Sequence, residues 1–228
     1  MTIDLQQTPS PNHGDRKSHK VSLVVLHYTG MTTGQEALDR LRSEEAGVSA
    51  HYLIEEDGRA FALVPEDRRA WHAGVSSWRG ETDVNSISVG IEIVNPGHEH
   101  GYRTFPDAQI DTLIPLLRGI CERHGVPKER VVGHSDVAPG RKEDPGELFP
   151  WDRLAREGLA LPRWSGRMRD DLPSDDQAAE LLNRIGYGVE LSGLGACITA
   201  FQRRFCPDEL GRGLSPKSLA AIVEISAL

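Results

Sequence analysis

Two of the nine histidines in this 228-residue chain stand where α/β proteins collect their chemistry. His27 ends the apolar run Val21-Ser22-Leu23-Val24-Val25-Leu26, and His134 follows Gly133 after the β-branched pair Val131-Val132. Both read as strand ends, the sheet edge at which such folds place their sites. Ten residues beyond His134 comes Asp144. Two imidazoles and one carboxylate make a donor set for zinc that leaves a fourth position open to water. The sequence holds no HExxH helix, so the three residues are not a local motif and only the fold can bring them together.

A fourth group comes from strand alternation. In Ile87-Ser88-Val89-Gly90-Ile91-Glu92-Ile93, side chains point alternately to opposite faces. Ile87, Val89, Ile91 and Ile93 then share one face, and Ser88, Gly90 and Glu92 the other. A carboxylate on so apolar a strand costs too much to bury alone, so Glu92 faces a polar cleft or meets a cation.

The remaining elements must carry these groups. Thr33-Gly34-Gln35-Glu36 is a capping-box pattern, and Ala37, Leu38 and Leu41 follow at helical spacing. His51-Tyr52-Leu53-Ile54, a turn at Asp57-Gly58, and Ala60-Phe61-Ala62-Leu63-Val64 predict a hairpin. Ile110, Leu113, Ile114, Leu117 and Cys121 form one stripe of a helix over 107–124, stopped by Gly125 and predicted to kink at Pro115. Strands alternating with helices predict an α/β core.

Composition narrows the partners. Lys and Arg number 26 against 34 Asp and Glu, and the net charge of −8 argues against a nucleic-acid partner held by phosphate neutralisation. Leu23-Val24-Val25-Leu26 is the longest clean apolar run, far short of the roughly 20 residues of a membrane span. The N-terminal residues lack the basic and apolar regions of a secretory signal, which predicts the cytoplasm, with the periplasm or envelope as the alternative if a signal was removed. Cys121, Cys197 and Cys206 form no CxxC pair and read as reduced structural thiols. Residues 1–18, with Pro9, Pro11, Asn12 and Gly14 and no apolar period, predict a flexible arm that takes in His13.

Five segments carry a resemblance. Val25-Leu26-His27-Tyr28-Thr29, Val48-Ser49-Ala50-His51-Tyr52-Leu53-Ile54, Trp71-His72-Ala73-Gly74-Val75-Ser76, Ser88-Val89-Gly90-Ile91-Glu92-Ile93-Val94-Asn95 and Gly133-His134-Ser135-Asp136-Val137-Ala138-Pro139-Gly140-Arg141-Lys142 occur in this order. Together they resemble the zinc-dependent type 2 N-acetylmuramoyl-L-alanine amidases over residues 20–160. The resemblance implies a mixed central sheet flanked by helices, and it places the family's zinc ligands on His27, His134 and Asp144. It also places the family's acidic residue on Glu92 and its lysine on Lys142. Some phage members carry a catalytic tyrosine where this chain has Ala50, and a cysteine where it has Asp144. The aspartate keeps an anion fit for zinc, and the alanine makes Glu92 the implied base.

The implied reaction is hydrolysis of the amide between the lactyl group of N-acetylmuramic acid and L-alanine of the stem peptide. In it Glu92 moves the proton of the zinc-activated water and Lys142 stabilises the oxyanion. The partner is then a muropeptide or peptidoglycan. A soluble anhydro-muropeptide of wall recycling is the expected substrate, with polymeric wall in the envelope as the alternative. A non-catalytic muropeptide receptor is the rival class, and the complete ligand set argues against it. His51 reads either as a hydrogen-bond partner of a zinc ligand or as a structural residue. Trp71 and His72 read as cleft lining, whereas Trp78 reads as loop packing. Arg141 reads either as a carboxylate contact or as an exposed cation. His98, His100 and His124 read as solvated surface.

Periodicity lapses over 159–174, which predicts a linker between a catalytic domain over 19–158 and a small three-helix domain over 175–228. Its stripes are Ala178, Leu181, Leu182 and Ile185, then Ile198, Phe201 and Phe205, then Leu219, Ile222 and Val223 behind Ser215-Pro216. Leu181–Tyr187, Ile198–Phe205 and Ser215–Ile222 resemble the small peptidoglycan-binding domain, from which the chain departs between Tyr187 and Ile198. The oligomeric state is not readable.

Overall fold

The apolar run that delivers His27 forms a central strand of a six-stranded sheet in the computed structural model, which describes residues 3–228. In chain order the elements are strands β1 (Leu5–Gln7), β2 (His13–Asp15) and β3 (Leu23–Tyr28), helix α1 (Gly34–Arg42), and strands β4 (Tyr52–Ile54), β5 (Ala60–Ala62) and β6 (Arg68–Ala70). Helix α2 (Val84–Ile87), strand β7 (Ser88–Ile93), helix α3 (Asp107–His124), strand β8 (Val131–Gly133) and helices α4 (His134–Val137) and α5 (Trp151–Arg156) follow. The chain closes with α6 (Asp175–Ile185), α7 (Val189–Ser192), α8 (Leu194–Phe205) and α9 (Pro216–Ile225). The sheet order is β1-β5-β4-β7-β3-β8, mixed as the resemblance implied, with only the β4–β5 hairpin antiparallel.

Alternation along the strands sorts the core into two faces. Val24, Leu26, Val89, Ile91, Ile93 and Val131 pack against Ile110, Leu113, Leu117 and Ile120 of α3. On the other face, Leu53 and Phe61 meet Ala37, Leu38 and Leu41 of α1. Leu23, Val25 and Val132 on that same face meet Ala178, Leu182, Phe201 and Ile222 of the last helices. The capping box at Thr33 opens α1 as expected, with the Glu36 backbone N–H donating to the Thr33 hydroxyl and the Thr33 N–H to the Glu36 carboxylate.

Three expectations are corrected. Residues 3–18 are not a flexible arm: β1 adds to the sheet edge beside β5, β2 pairs with β6, and Arg16 is buried. Asn12 donates to the carbonyls of Ser43 and Val48, and Arg16 to those of Glu66, Ser86 and Ser88. These ties are polar and distant in sequence, so no apolar period announces them; residues 1 and 2 of the expected arm lie outside the described residues. Ile87 leaves the strand pattern to end α2, and packs with Leu23 and Val25 rather than with Val89. Helix α3 runs from Asp107 to His124 with Pro115 inside it. The linker does not separate two cores, because Leu159 and Leu161 within it are buried and the tail helices cover Leu23, Val25 and Val132 directly. Each of those three, wholly enclosed, would lose about 1.5–3 kcal/mol of burial if the tail were absent.

Candidate active site

Strand register assembles the site. The parallel pairing of β3 with β7 sets His27 opposite Glu92, and its pairing with β8 sets Leu26 opposite Gly133, so His134 arrives beside His27. Gly133 has to be small there, since a β-carbon would lie 2.7 Å from Cδ of Pro145. Ser135 donates its N–H to the Asp144 carbonyl at 2.8 Å, which turns the intervening loop back so that Asp144 reaches both imidazoles. His27 Nδ1 lies 3.0 Å from His134 Nδ1 and 3.0 Å from Asp144 Oδ2, and His134 Nδ1 lies 2.9 Å from the same oxygen. All three residues are buried.

The outer nitrogens of the two rings decide where the protons are. The Ala73 carbonyl can only accept, so His134 Nε2, 3.0 Å away, carries the hydrogen and Nδ1 keeps its lone pair. The Ser88 hydroxyl donates to the Val84 carbonyl at 2.6 Å and therefore accepts from His72 Nε2 at 3.1 Å. His72 Nδ1 then accepts from His27 Nε2 at 3.0 Å, and His27 Nδ1 is left as a lone pair. Gly90 makes room for this relay, because a β-carbon there would overlap the His72 ring.

Charge follows the same logic. Burial and the neighbouring His134 push the His27 imidazole down to about 4, so it is neutral at pH 7. Burial acts to raise the Asp144 carboxyl, but His134 and His27 beside it outweigh that and hold it below the usual carboxylate range. The spacing is that of an ion pair, yet the His27 imidazole carries no charge at neutral pH. Two lone pairs and a carboxylate oxygen thus converge with no hydrogen between them. Such a set is repulsive alone and is completed by a cation with tetrahedral preference for nitrogen and oxygen.

Glu92 and Lys142 line the same cleft of about 380 Å³ as His27, His134 and Asp144. Glu92 is half-buried, and its Oε2 is closed off from solvent with no hydrogen-bond partner among the described residues. Burial, and then repulsion from Asp144, raise its carboxyl well above the ordinary value against the pull of Lys142. A carboxyl so raised is a stronger proton acceptor than an ordinary carboxylate.

The other candidates divide. Trp71 and His72 line the cleft, His72 as the partner of His27. His51 sits behind it: its Nδ1 accepts from the Gly90 N–H, its Nε2 lies 3.0 Å from the Arg68 carbonyl, and burial followed by Arg16 pushes its imidazole down to about 3. Arg141 lines the cleft and donates to the carbonyls of Ala73 and Val75, clamping the strand of chain that orients His134. Trp78 is buried edge-on to Tyr187.

His98 is exposed, as expected of a surface histidine, but it is also tied to its neighbours. It stacks on Tyr102 at 4.3 Å, lies 2.9 Å from the Tyr28 hydroxyl, and forms part of the cleft rim. His124 is likewise tied, bonding through Nε2 to Glu66. The stacking joins two residues of the loop between β7 and α3, whereas the Tyr28 hydroxyl reaches His98 from 70 residues away.

Comparison with known proteins places this geometry. The sequence profile described as N-acetylmuramoyl-L-alanine amidase matches residues 17–147. N-acetylmuramoyl-L-alanine amidase AmiD of Escherichia coli K12 is 36% identical over 231 residues, spanning 90% of this chain and 82% of that protein. The solved complex of E. coli AmiD with the substrate anhydro-N-acetylmuramic acid-L-Ala-D-γ-Glu-L-Lys matches with a TM-score of 0.80 at 33% identity, covering 96% of this chain and 91% of that one. The crystal structure of AmpDh3 from Pseudomonas aeruginosa matches with a TM-score of 0.83 at 31% identity, covering 100% and 98%.

Proposed function

The chain belongs to the N-acetylmuramoyl-L-alanine amidase family, and from that premise we propose that His27, His134 and Asp144 hold a zinc ion and that the substrate is a soluble anhydro-muropeptide. The bond cut is the amide between the lactyl group of N-acetylmuramic acid and L-alanine. The observation that carries the zinc reading is the meeting of three acceptor atoms within 3.0 Å of one another with no hydrogen to share. Zinc held there supplies a water acidified to a pKa of about 7 and a Lewis acid for the scissile carbonyl.

The protein's own groups do the rest. Glu92, whose carboxyl is raised and whose Oε2 has no competing bond, takes the proton of the attacking water and passes it to the leaving amine. The ammonium of Lys142 opposes the charge that grows on the carbonyl oxygen. Trp71 offers an apolar face to sugar or peptide on the cleft wall. The choice of an anhydro-muropeptide is supported by the substrate bound to the related AmiD. No helix among the described residues is long and apolar enough to cross a membrane. A wall-binding role for the C-terminal helices stays a proposal, tested by co-sedimentation with purified sacculi.

The test is mass spectrometry of anhydro-muramyl tripeptide incubated with the purified chain, beside chelator-treated and zinc-restored samples. Free tripeptide that disappears with chelation and returns with zinc is the expected result. Zinc-loaded protein that leaves the tripeptide intact but releases stem peptides from sacculi overturns the choice of soluble substrate. Protein that takes up no zinc and releases nothing from either favours the receptor.

A further inference from the structure

We infer that the C-terminal helices brace the two ligand-bearing segments of the proposed zinc site, with Tyr187, Arg203 and Arg204 as positioning residues for His134 and Asp144. The inference rests on the zinc reading above. Asp136, two residues past His134, is fully buried. Its Oδ2 accepts from the Gly133 N–H at 2.7 Å and from Arg204 Nη1 at 2.7 Å, and its Oδ1 accepts from the Tyr187 hydroxyl at 2.6 Å. Arg204 Nη2 donates to the Val131 carbonyl at 2.9 Å, so one guanidinium holds both the strand that enters His134 and the turn that leaves it. That guanidinium also lies 4.1 Å from the centre of the Trp151 ring and 4.7 Å from that of Phe205.

The adjacent residue of α8 reaches the second ligand. Arg203 Nη2 meets Glu143 Oε1 at 2.9 Å, directly before Asp144, and Arg203 Nε lies 3.6 Å from Glu147 Oε2. Simple adhesion of α8 would need only the apolar contacts that Phe201 and Ala200 already make. The Asp136–Arg204 pair is buried charge, a costly way to glue helices whose use is to hold one geometry among many, whereas the Glu143 partner of Arg203 is exposed. Here every bond ends within three residues of His134 or Asp144. Metal affinity depends on ligand atoms held to a fraction of an ångström, so outer partners that fix their backbone govern it.

The experiment measures zinc affinity of the full chain by competition with a chromophoric chelator, the visible spectrum of the cobalt(II) form, and thermal unfolding of the metal-free protein. Tyr187→Phe removes a single hydroxyl and leaves Asp136 paired with Arg204; Arg203→Gln loosens the Asp144 side. Each is expected to weaken zinc about 10- to 100-fold and to shift the cobalt spectrum. Arg204→Met is expected to weaken zinc further, with Arg204→Lys restoring part of the loss. Wild-type affinity, within twofold, in both Tyr187→Phe and Arg203→Gln overturns the brace while leaving the zinc site standing. Should Arg204→Met fail to fold, the two milder variants decide. A wild-type chain that takes up no zinc overturns the zinc reading and this inference together.

Discussion

Acid should unfold the metal-free protein with a slope that the buried histidines set. An ordinary histidine titrates near 6.5, but the imidazoles of His27 and His51 are held down to about 4 and about 3, and that of His72 is also held well below the ordinary value. Burial is the first cause in all three. A group depressed on folding adds stability above its unfolded pKa and loses it as pH falls toward its folded one. Between pH 5 and 6 the unfolded chain therefore binds about three protons at these histidines that the folded chain refuses. Glu92 works in the opposite sense: its raised carboxyl keeps a proton in the folded state that the unfolded chain has released. The net difference is about two protons, so stability falls by about 3 kcal/mol per pH unit through that window. The depressed carboxylates, Asp144 and Glu66 among them, add their effect below pH 5 and leave the window clear. Urea unfolding of chelator-treated protein at several pH values, with a constant m-value, reads the slope. In Glu92→Gln the opposing proton is gone, and the slope is expected to steepen to about 4 kcal/mol per unit. A wild-type slope of one proton or fewer, or no change in Glu92→Gln, refutes the assignment of neutral buried imidazoles facing a protonated Glu92.

Other perturbations separate the roles in the cleft. Ser88→Ala leaves His72 free to turn or change tautomer, and zinc affinity is expected to fall about 10- to 100-fold with little change in unfolding temperature, read by chelator competition; unchanged affinity removes the relay. Glu92→Gln is expected to keep one zinc per chain while turnover drops by about 10²- to 10⁴-fold in the tripeptide assay; loss of zinc instead removes its part as base. His134→Ala is expected to lose both zinc and activity, checked by metal analysis of the purified variant. Gly90→Ala drives a methyl group into the His72 ring and is expected to cost about 1–3 kcal/mol, measured by urea unfolding.

What the chain disclosed before its fold was known follows from the range of each interaction. His27 and Glu92 could be placed because strand alternation acts over two residues, and α1 because its capping box spans four. His134 and Asp144 stood out by position and by resemblance, but nothing local says that Ser135 bonds the Asp144 carbonyl. The N-terminal segment was misread because Asn12 and Arg16 are held by carbonyls 31 to 72 residues away, a pairing that leaves no mark in hydropathy. The tie of His98 to the cleft was hidden for the same reason, its Tyr28 partner lying 70 residues away. The tail's helices were legible from their stripes. Their destination was not, since an apolar stripe says that a face is covered and not by what.

The salt bridge between Asp136 and Arg204 spans 68 residues of chain. Synthesis runs from the N-terminus, so the strands and both imidazoles have left the ribosome before their anchor exists. A nascent or truncated chain that ends before α8 has all three proposed zinc residues but lacks Arg203 and Arg204, and it leaves Leu23, Val25 and Val132 without their cover from Phe201 and Ile222. On the proposed reading, hydrolytic competence then waits for α8, which is made after every strand of the sheet. Helix α8 thus acts, on the proposed reading, as a check that the chain has been made at least that far, and damage to it is expected to be felt first at the proposed zinc site.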